Sequence, residues 1–588
     1  MSLNGNTLNG LPIDDEEQYQ LWLRDPGAQV VHLVEMDYIG MVAGSPGTRT
    51  VLLSDRPYPP AHPVVAAIPS FMRAIGDDFA GAVSLSIGSL VLNNATGALD
   101  SWLLLNIDGQ RVRIRHGAPD WPQERFRTAF TCIAESISSA DASTITVRLR
   151  APDYGANGQI QSHLIGGSGP NANKPIPLAY GEVFNVEPLL TDAATLEYQW
   201  HDGVVQSVDA VRDSGIDFQT ASKTISAVTP ATDTLTTSAA HGFLVDDRVR
   251  FTGTPPAPLA AATDYWVIAA GLTTTDFRLS ATRGGSAVDI TGSTTGATCI
   301  GYHWTAILST GKVLLSSAPS GQLTLDGKGY AAAGYVEDMR DILPLVLGTT
   351  NVMQARPSIY SNSSAVAMFV RDRRNRLDVA AELCSGSGIW YGYDRDQQLC
   401  FGRVFTYPPS EGLAIAEAEL RSALTVERMV MPRDTTAATQ GHRIGYARNW
   451  TVQSSGLAAA VDASHRALYG AAQQDLVNLV APGTAHALAV VPDAPPAVFA
   501  GIYADGYALA EANRKNELFS GWGVVFGVTL GRVGVLYDIG RAVTLTHSRF
   551  GLSAGVAMTI VKVEDRPSEG LVKLSLFVNR GTYSPGAL

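Results

Sequence analysis

The sequence predicts a mainly β protein with a few helices, an α+β chain of several domains in which two β-barrel ends enclose a mixed middle. Three observations carry this. Apolar and polar residues alternate with a period of two along Val83-Ser84-Leu85-Ser86-Ile87 and again from Gly109 to Arg115, the pattern of half-buried strands. Only 17% of residues are charged while Gly (57) and Pro (31) are plentiful, so turns are frequent and long Glu/Lys/Leu-rich helical tracts are missing. At 588 residues the chain is also too long for one hydrophobic core.

In chain order, residues 1–117 read as a first barrel, with strands at Val30–Met36, Arg49–Leu53, Val83–Ile87 and Gly109–Arg115 and turn chemistry in "LNNATGALDSW". Residues 118–334 read as a β-rich domain that opens on a hairpin, "RTAFTCIAESISS" and "STITVRLRAP", followed by a Gly/Asn/Pro-rich loop. Within it, 222–302 turns Thr-dense with short strands and Gly/Pro turns. This stretch reads as an inserted β-module, because "VRDSGIDFQT" before it and "GKVLLSSAPSGQLTLDGKG" after it suit halves of one strand pair. Residues 335–430 form a mixed α/β domain with helices expected over 335–348 and 375–388. Residues 431–588 read as a second barrel carrying helices over 465–481 and 503–521, the latter stopped by Gly521.

Charge and cysteine content exclude several classes. A net charge of −12 and the absence of a basic run argue against gripping nucleic acid, which needs concentrated Lys and Arg. Cys132, Cys299, Cys384 and Cys400 match no zinc or iron–sulfur spacing and read as buried free thiols of a reducing cytoplasm. The polar, acidic N-terminus is neither a signal nor a transit peptide, and the apolar stretch Ala485–Ala504 is broken by Asp493 and prolines. A soluble chain is expected, without cofactor or metal. Asn94, Asn362 and Asn449 begin N-x-S/T triplets that have no meaning without a secretory route.

One motif invites a catalytic reading. Gly551-Leu552-Ser553-Ala554-Gly555 fits the G-x-S-x-G of hydrolase nucleophiles, with His547 before it and Asp565 after it. That chemistry needs a helix after the turn and a histidine after the serine. Here a strand pattern, Val556–Val563, follows, and His547 is the last histidine of the chain. The sequence therefore predicts a hairpin turn and no catalytic residue. Paired carboxylates at Asp14-Asp15, Asp77-Asp78 and Asp246-Asp247 read as solvated turns or caps. Trp390, Tyr391 and Tyr393 in "IWYGYD" are of the type that stacks on sugars and are candidate glycan contacts, although such a strand–turn more often buries its aromatics.

Several stretches resemble the baseplate hub proteins of long-tailed bacteriophages, whose fold is related to the hub of contractile tails. "LDVAAELCSGSGIWYGYDRDQQLCFGRV" (377–404) is similar to that family's helix, aromatic hairpin and glycine turn. "DIGRAVTLTHSRFGLSAGVAMTIVKVEDRPSEGLVKLSLFV" (538–578) resembles its closing barrel, and "AGAVSLSIGSLVLNNATGALDSWLLLNIDGQRVRI" (80–114) its first barrel. The 222–302 stretch resembles a small β-domain reused among tail and fibre proteins. The resemblance implies tube-type barrels and a homotrimer that closes the tail tube, carries the central fibre and gives DNA a channel for ejection. It implies distal tail, tape-measure and central fibre proteins as partners, and a place in the virion after assembly in the host cytoplasm. On that reading Arg541, His547, Arg549 and Phe550 are candidate subunit contacts. The alternatives are a distal tail or receptor-binding protein contacting glycan, and a depolymerase or esterase using Ser553.

Overall fold

A computed structural model describes residues 7–8, 11–12, 15–42, 45–76, 79–151, 158–349, 365–395, 398–405, 408, 411–430, 441–480, 497–498, 505–519 and 522–579. It is a mainly β, multidomain protein with several sheets and five α-helices among the described residues: α1 (Asp15–Arg24), α2 (Met339–Leu347), α3 (Arg376–Ser387), α4 (Ala463–Gly470) and α5 (Asp505–Phe519).

The N-terminal sheet has seven strands in the order 45–54, 31–42, 111–117, 127–141, 144–150, 90–93 and 65–67. Alternation buries one face of it: Val34, Met36, Leu53, Val112, Ile114, Cys132, Ile145 and Val147 are all fully enclosed. Pairing of 111–117 with 127–141 carries this sheet across the boundary expected after residue 117, because the hairpin at 127–150 shares the same core. The alternating strand Ser84–Ile87 does not join it. It pairs with Phe71–Ala74, and that strand pairs with Val556–Arg566 of the C-terminal sheet.

The C-terminal sheet runs 414–416, 542–546, 556–566, 571–579, 522–530 and 425–430, so it also draws two strands from the range assigned to the mixed domain. The reason for the N-terminal contribution lies in strand length. Strand 556–566 has 11 residues, but 542–546 pairs only with Val556–Thr559. Phe71–Ala74 takes the same edge from Lys562 to Asp565, pairing backbone groups that would otherwise stand orphaned beside two cores. Phe71, though bonded into the C-terminal sheet, stacks on Phe130 of the N-terminal core with ring centroids 4.3 Å apart.

The middle is built from two four-stranded sheets and the α2–α3 pair. Strand 205–213 pairs with 323–330, so the parent sheet resumes after the interruption. Residues 223–302 form a six-stranded closed barrel around Ile225, Val249, Phe251, Val267, Phe277 and Leu279. Its two ends leave the parent side by side: the Thr220 amide donates to Gly301 O at 2.7 Å and the His303 amide to Phe218 O at 3.0 Å. Among the described residues, strand order closes on itself only in this module; the two large terminal sheets remain open rows. Strand 178–180 pairs with 368–370, so the expected boundary at 334 also cuts a sheet.

Helix α3 starts where Asn375 accepts the Leu377 amide at 2.8 Å and ends at Gly388, whose φ of +66° closes the last turn. Helix α4 is shorter than 465–481 suggested, because Gln473–Val480 is a strand paired with Gly441–Arg448. These two strands, with 497–498, make a separate small sheet against which α5 packs; they are not part of the C-terminal row. Gly521 lies outside the described residues. Helix α1 was not expected at all: its Tyr19, Trp22 and Leu23 are buried at helical spacing against Ala118 and the turn Arg532–Leu536.

Because the barrel at 223–302 has its own core and adjacent ends, replacing 221–301 by a short Gly/Ser linker is expected to leave the rest of the chain folded, and the excised module is expected to unfold cooperatively on its own. Circular dichroism and limited proteolysis of both pieces check this; loss of near-ultraviolet signal in the remainder would contradict it.

Candidate functional site at the junction of the terminal sheets

The stretch that carries G-x-S-x-G folds as a hairpin. Ala542–Thr546 and Val556–Arg566 pair antiparallel, and the turn between them places Phe550 and Gly551 at positive φ (+60° and +70°). Ser553 is exposed in that turn and a strand follows it, so no nucleophile elbow forms. His547 is buried: its Nδ1 accepts the Arg549 amide at 3.0 Å and its Nε2 faces Glu417 at 3.4 Å. Arg541 is bound within the chain to Glu411 at 2.9 Å. Of the four candidate contact residues, only Arg549 and Phe550 face outward at the turn, the guanidinium 5.1 Å over the Phe550 ring.

The aromatic hairpin points the other way. Trp390 and Tyr391 are 1% and 3% exposed, and Tyr393 is half-buried. Trp390 seats against Gly540, where a Cβ would fall 2.0 Å from its ring. This burial removes Trp390 and Tyr391 as glycan contacts. Their strand, Trp390–Tyr393, pairs with 399–402 and, in parallel, with Gly81–Ala82.

The hairpin instead presents Arg395 to a junction of three parts of the chain. Its guanidinium grips Asp565 of the C-terminal sheet with two bonds of 2.7 and 2.9 Å and donates to Ala129 O of the N-terminal sheet at 3.2 Å. Asp565 is 4% exposed. Above this pair, Tyr19 of α1 meets His116 Nε2 at 2.5 Å. Arg532 donates to Ala28 O at 2.9 Å and lies 5.3 Å over the Trp22 ring. Burial, followed by the nearby His32, Arg395 and Arg532, pushes the His116 imidazole down to about 3, so it is neutral at neutral pH. Sequence reading noted Asp565 only beside the serine; its partner is 170 residues away, a separation that no local pattern reveals.

Other groups settle into structural positions. Asp247 is fully buried, contrary to a solvated turn, and holds the Leu244 amide, His303 and Ser316 at the neck of the inserted barrel. Burial pushes the thiols of Cys132, Cys299 and Cys384 up, out of the reactive range. Asn94 and Asn449 are buried, and Asn362, Asp14, Asp77 and Asp78 lie outside the described residues. Among the described residues no cluster of His, Cys, Asp and Glu is placed to hold a metal, and no helix is long and apolar enough to cross a membrane.

The chain matches no known family profile, and no curated protein matches it in sequence. Solved structures give low-scoring likenesses. A chain from the virion of a native gene transfer agent particle aligns at 13% identity and a TM-score of 0.33, covering 73% of this chain and 89% of that one. The 43 kDa tail protein of prophage MuSo2 from Shewanella oneidensis aligns at 9% identity and 0.34, over 96% of this chain and 100% of its own. A tail protein from Neisseria meningitidis MC58 aligns at 13% identity and 0.24, over 64% and 97%.

Two measurements check the packing of this region. Gly540→Ala puts a Cβ into Trp390 at a φ of +75°, and is expected to lower stability by about 2–5 kcal/mol in urea unfolding. His116, at about 3, and His201, which burial pushes down to about 4, both lie below the unfolded value of about 6.5. The unfolded chain therefore takes up these protons first. Their contribution is complete above about pH 6.5 and is lost as pH falls, at up to about 1.4 kcal/mol per pH unit for each histidine. Urea midpoints between pH 7 and 5 should show this slope, and His116→Gln should flatten it.

Proposed function

We propose that the chain is a structural protein of a bacteriophage tail and, within it, the baseplate hub. Copies form a ring that closes the tail tube, connects it to the central fibre and leaves a channel for DNA. The observation that carries the reading is the strand exchange between the two ends of the chain: 71–74 and 84–87 complete the C-terminal sheet while Phe71 packs into the N-terminal core. Two large sheets are thereby held in fixed relation within one subunit, as a wall element of a ring requires.

The segments that carry the resemblance support the same reading. Residues 377–404 supply α3 and the aromatic hairpin, and 538–578 supply three strands of the C-terminal sheet, joined to that hairpin by Arg395 and Asp565. Both are scaffolding, and His547, the histidine nearest the exposed Ser553 in sequence, is held by the Arg549 amide and Glu417. Arg549 and Phe550, the outward residues of that turn, are the proposed subunit contact; Phe550 is 37% exposed. Burial of Trp390 and Tyr391 counts against the glycan-binding alternative.

Native mass spectrometry of the purified chain, 62.3 kDa per copy, together with electron microscopy, tests the proposal. Three copies enclosing a lumen are expected. A six-copy ring would assign it to the distal tail, and a solid elongated trimer to a fibre; either result overturns the hub.

A further inference from the structure

We propose that the cavity where the N- and C-terminal sheets meet binds one small oxyanion, a carboxylate or phosphate group, between Arg395 and Arg532. The cavity has about 40 Å³ of free volume. A single water needs about 10–15 Å³ by the same measure, so the space equals about three to four water volumes, the size of a small oxyanion.

Its charge is unbalanced. Arg395 is matched by Asp565, Arg566 by Glu564 and Glu569, and His32 by Asp55 at 2.7 Å. Arg532 has no carboxylate within 4.0 Å among the described residues; its two Nη atoms donate to the carbonyls of Ala28 and Asp25. The Nε–H groups of Arg395 and Arg532 are both buried without an acceptor. A buried donor without a partner is costly, and two at one cavity call for an acceptor. Apart from His116, the remaining walls, including Phe71, Ala129, Val535 and Val572, are apolar and keep the dielectric low. An oxyanion seated between the two guanidiniums would neutralise Arg532 and tie the aromatic hairpin and both sheets together. This inference stands apart from the tail reading and does not depend on it.

Isothermal titration of the full chain with sodium phosphate and, separately, sodium acetate tests it, against sodium chloride at matched ionic strength. Saturable one-to-one binding of at least one oxyanion is expected, and which one binds tells a phosphate source from a carboxylate source. Arg532→Gln should weaken it by about tenfold or more, the worth of one charge-assisted hydrogen bond. Val535→Phe, which fills the cavity and removes no charge, should abolish it; circular dichroism establishes that both variants are folded. Absence of saturable heat with both anions in the wild-type chain overturns the proposal. So does binding by both folded variants at wild-type affinity, or equal binding of chloride.

Discussion

One guanidinium decides how the parts of this protein are held. Arg395 leaves the aromatic hairpin, bonds Asp565 twice and reaches Ala129 O, so that three separately built units share a single side chain. Both ions are out of water, with side chains 11% and 5% exposed. A pair so placed adds little net stability over a well-packed apolar substitute, but losing one partner leaves a stranded charge and costs about 3–5 kcal/mol. The interaction therefore specifies more than it strengthens. It makes alternative placements of the hairpin against the two sheets unfavourable, since each would bury an unmatched charge.

The neighbouring contacts repeat this logic with other chemistry. Arg73, 2% exposed, bonds Asp538 at 2.7 Å. Ser568 exchanges two hydrogen bonds with Ile68, 3.2 Å and 3.1 Å, across a separation of 500 residues. Glu511 and Arg514 of α5 form a buried pair directly beneath Gly388, where a Cβ would meet the Arg514 guanidinium at 2.1 Å. The apolar cores supply most of the stability, and these polar contacts at the seams fix which surfaces meet.

Local structure was written plainly in the sequence. Alternation marked the strands of both terminal sheets, Asn375 and Gly388 bounded α3, and the change of composition at 222–302 marked the closed barrel. Sheet membership was another matter. Ser84–Ile87 reads as a strand from its own pattern, but period two cannot say which edge it will join, and its sheet lies at the far end of the chain. The junction residues were hidden for the same reason: His116, Arg395, Arg532 and Asp565 have nothing in common along the sequence. Helix α1 opens on Asp15, Glu16 and Glu17, and its apolar face is only Tyr19, Trp22 and Leu23, too short a run for a helical period to stand out. Asp247 looked like half of a solvated pair because burial of a single carboxylate leaves no trace in composition.

The strand shared between the two ends also sets an order of events during synthesis. Phe71–Ala74, with Ser84–Ile87 paired on its other side, leaves the ribosome early, yet the edge it joins, Lys562–Asp565, is made almost 490 residues later. At about 5–20 residues per second, the N-terminal strands wait about 25–100 s for that edge. During this time Phe71 can already pack on Phe130, which keeps the segment folded down on its own core while its backbone edge is still open. A nascent chain that stops before Lys562 therefore keeps a vacant strand position beside Phe71–Ala74.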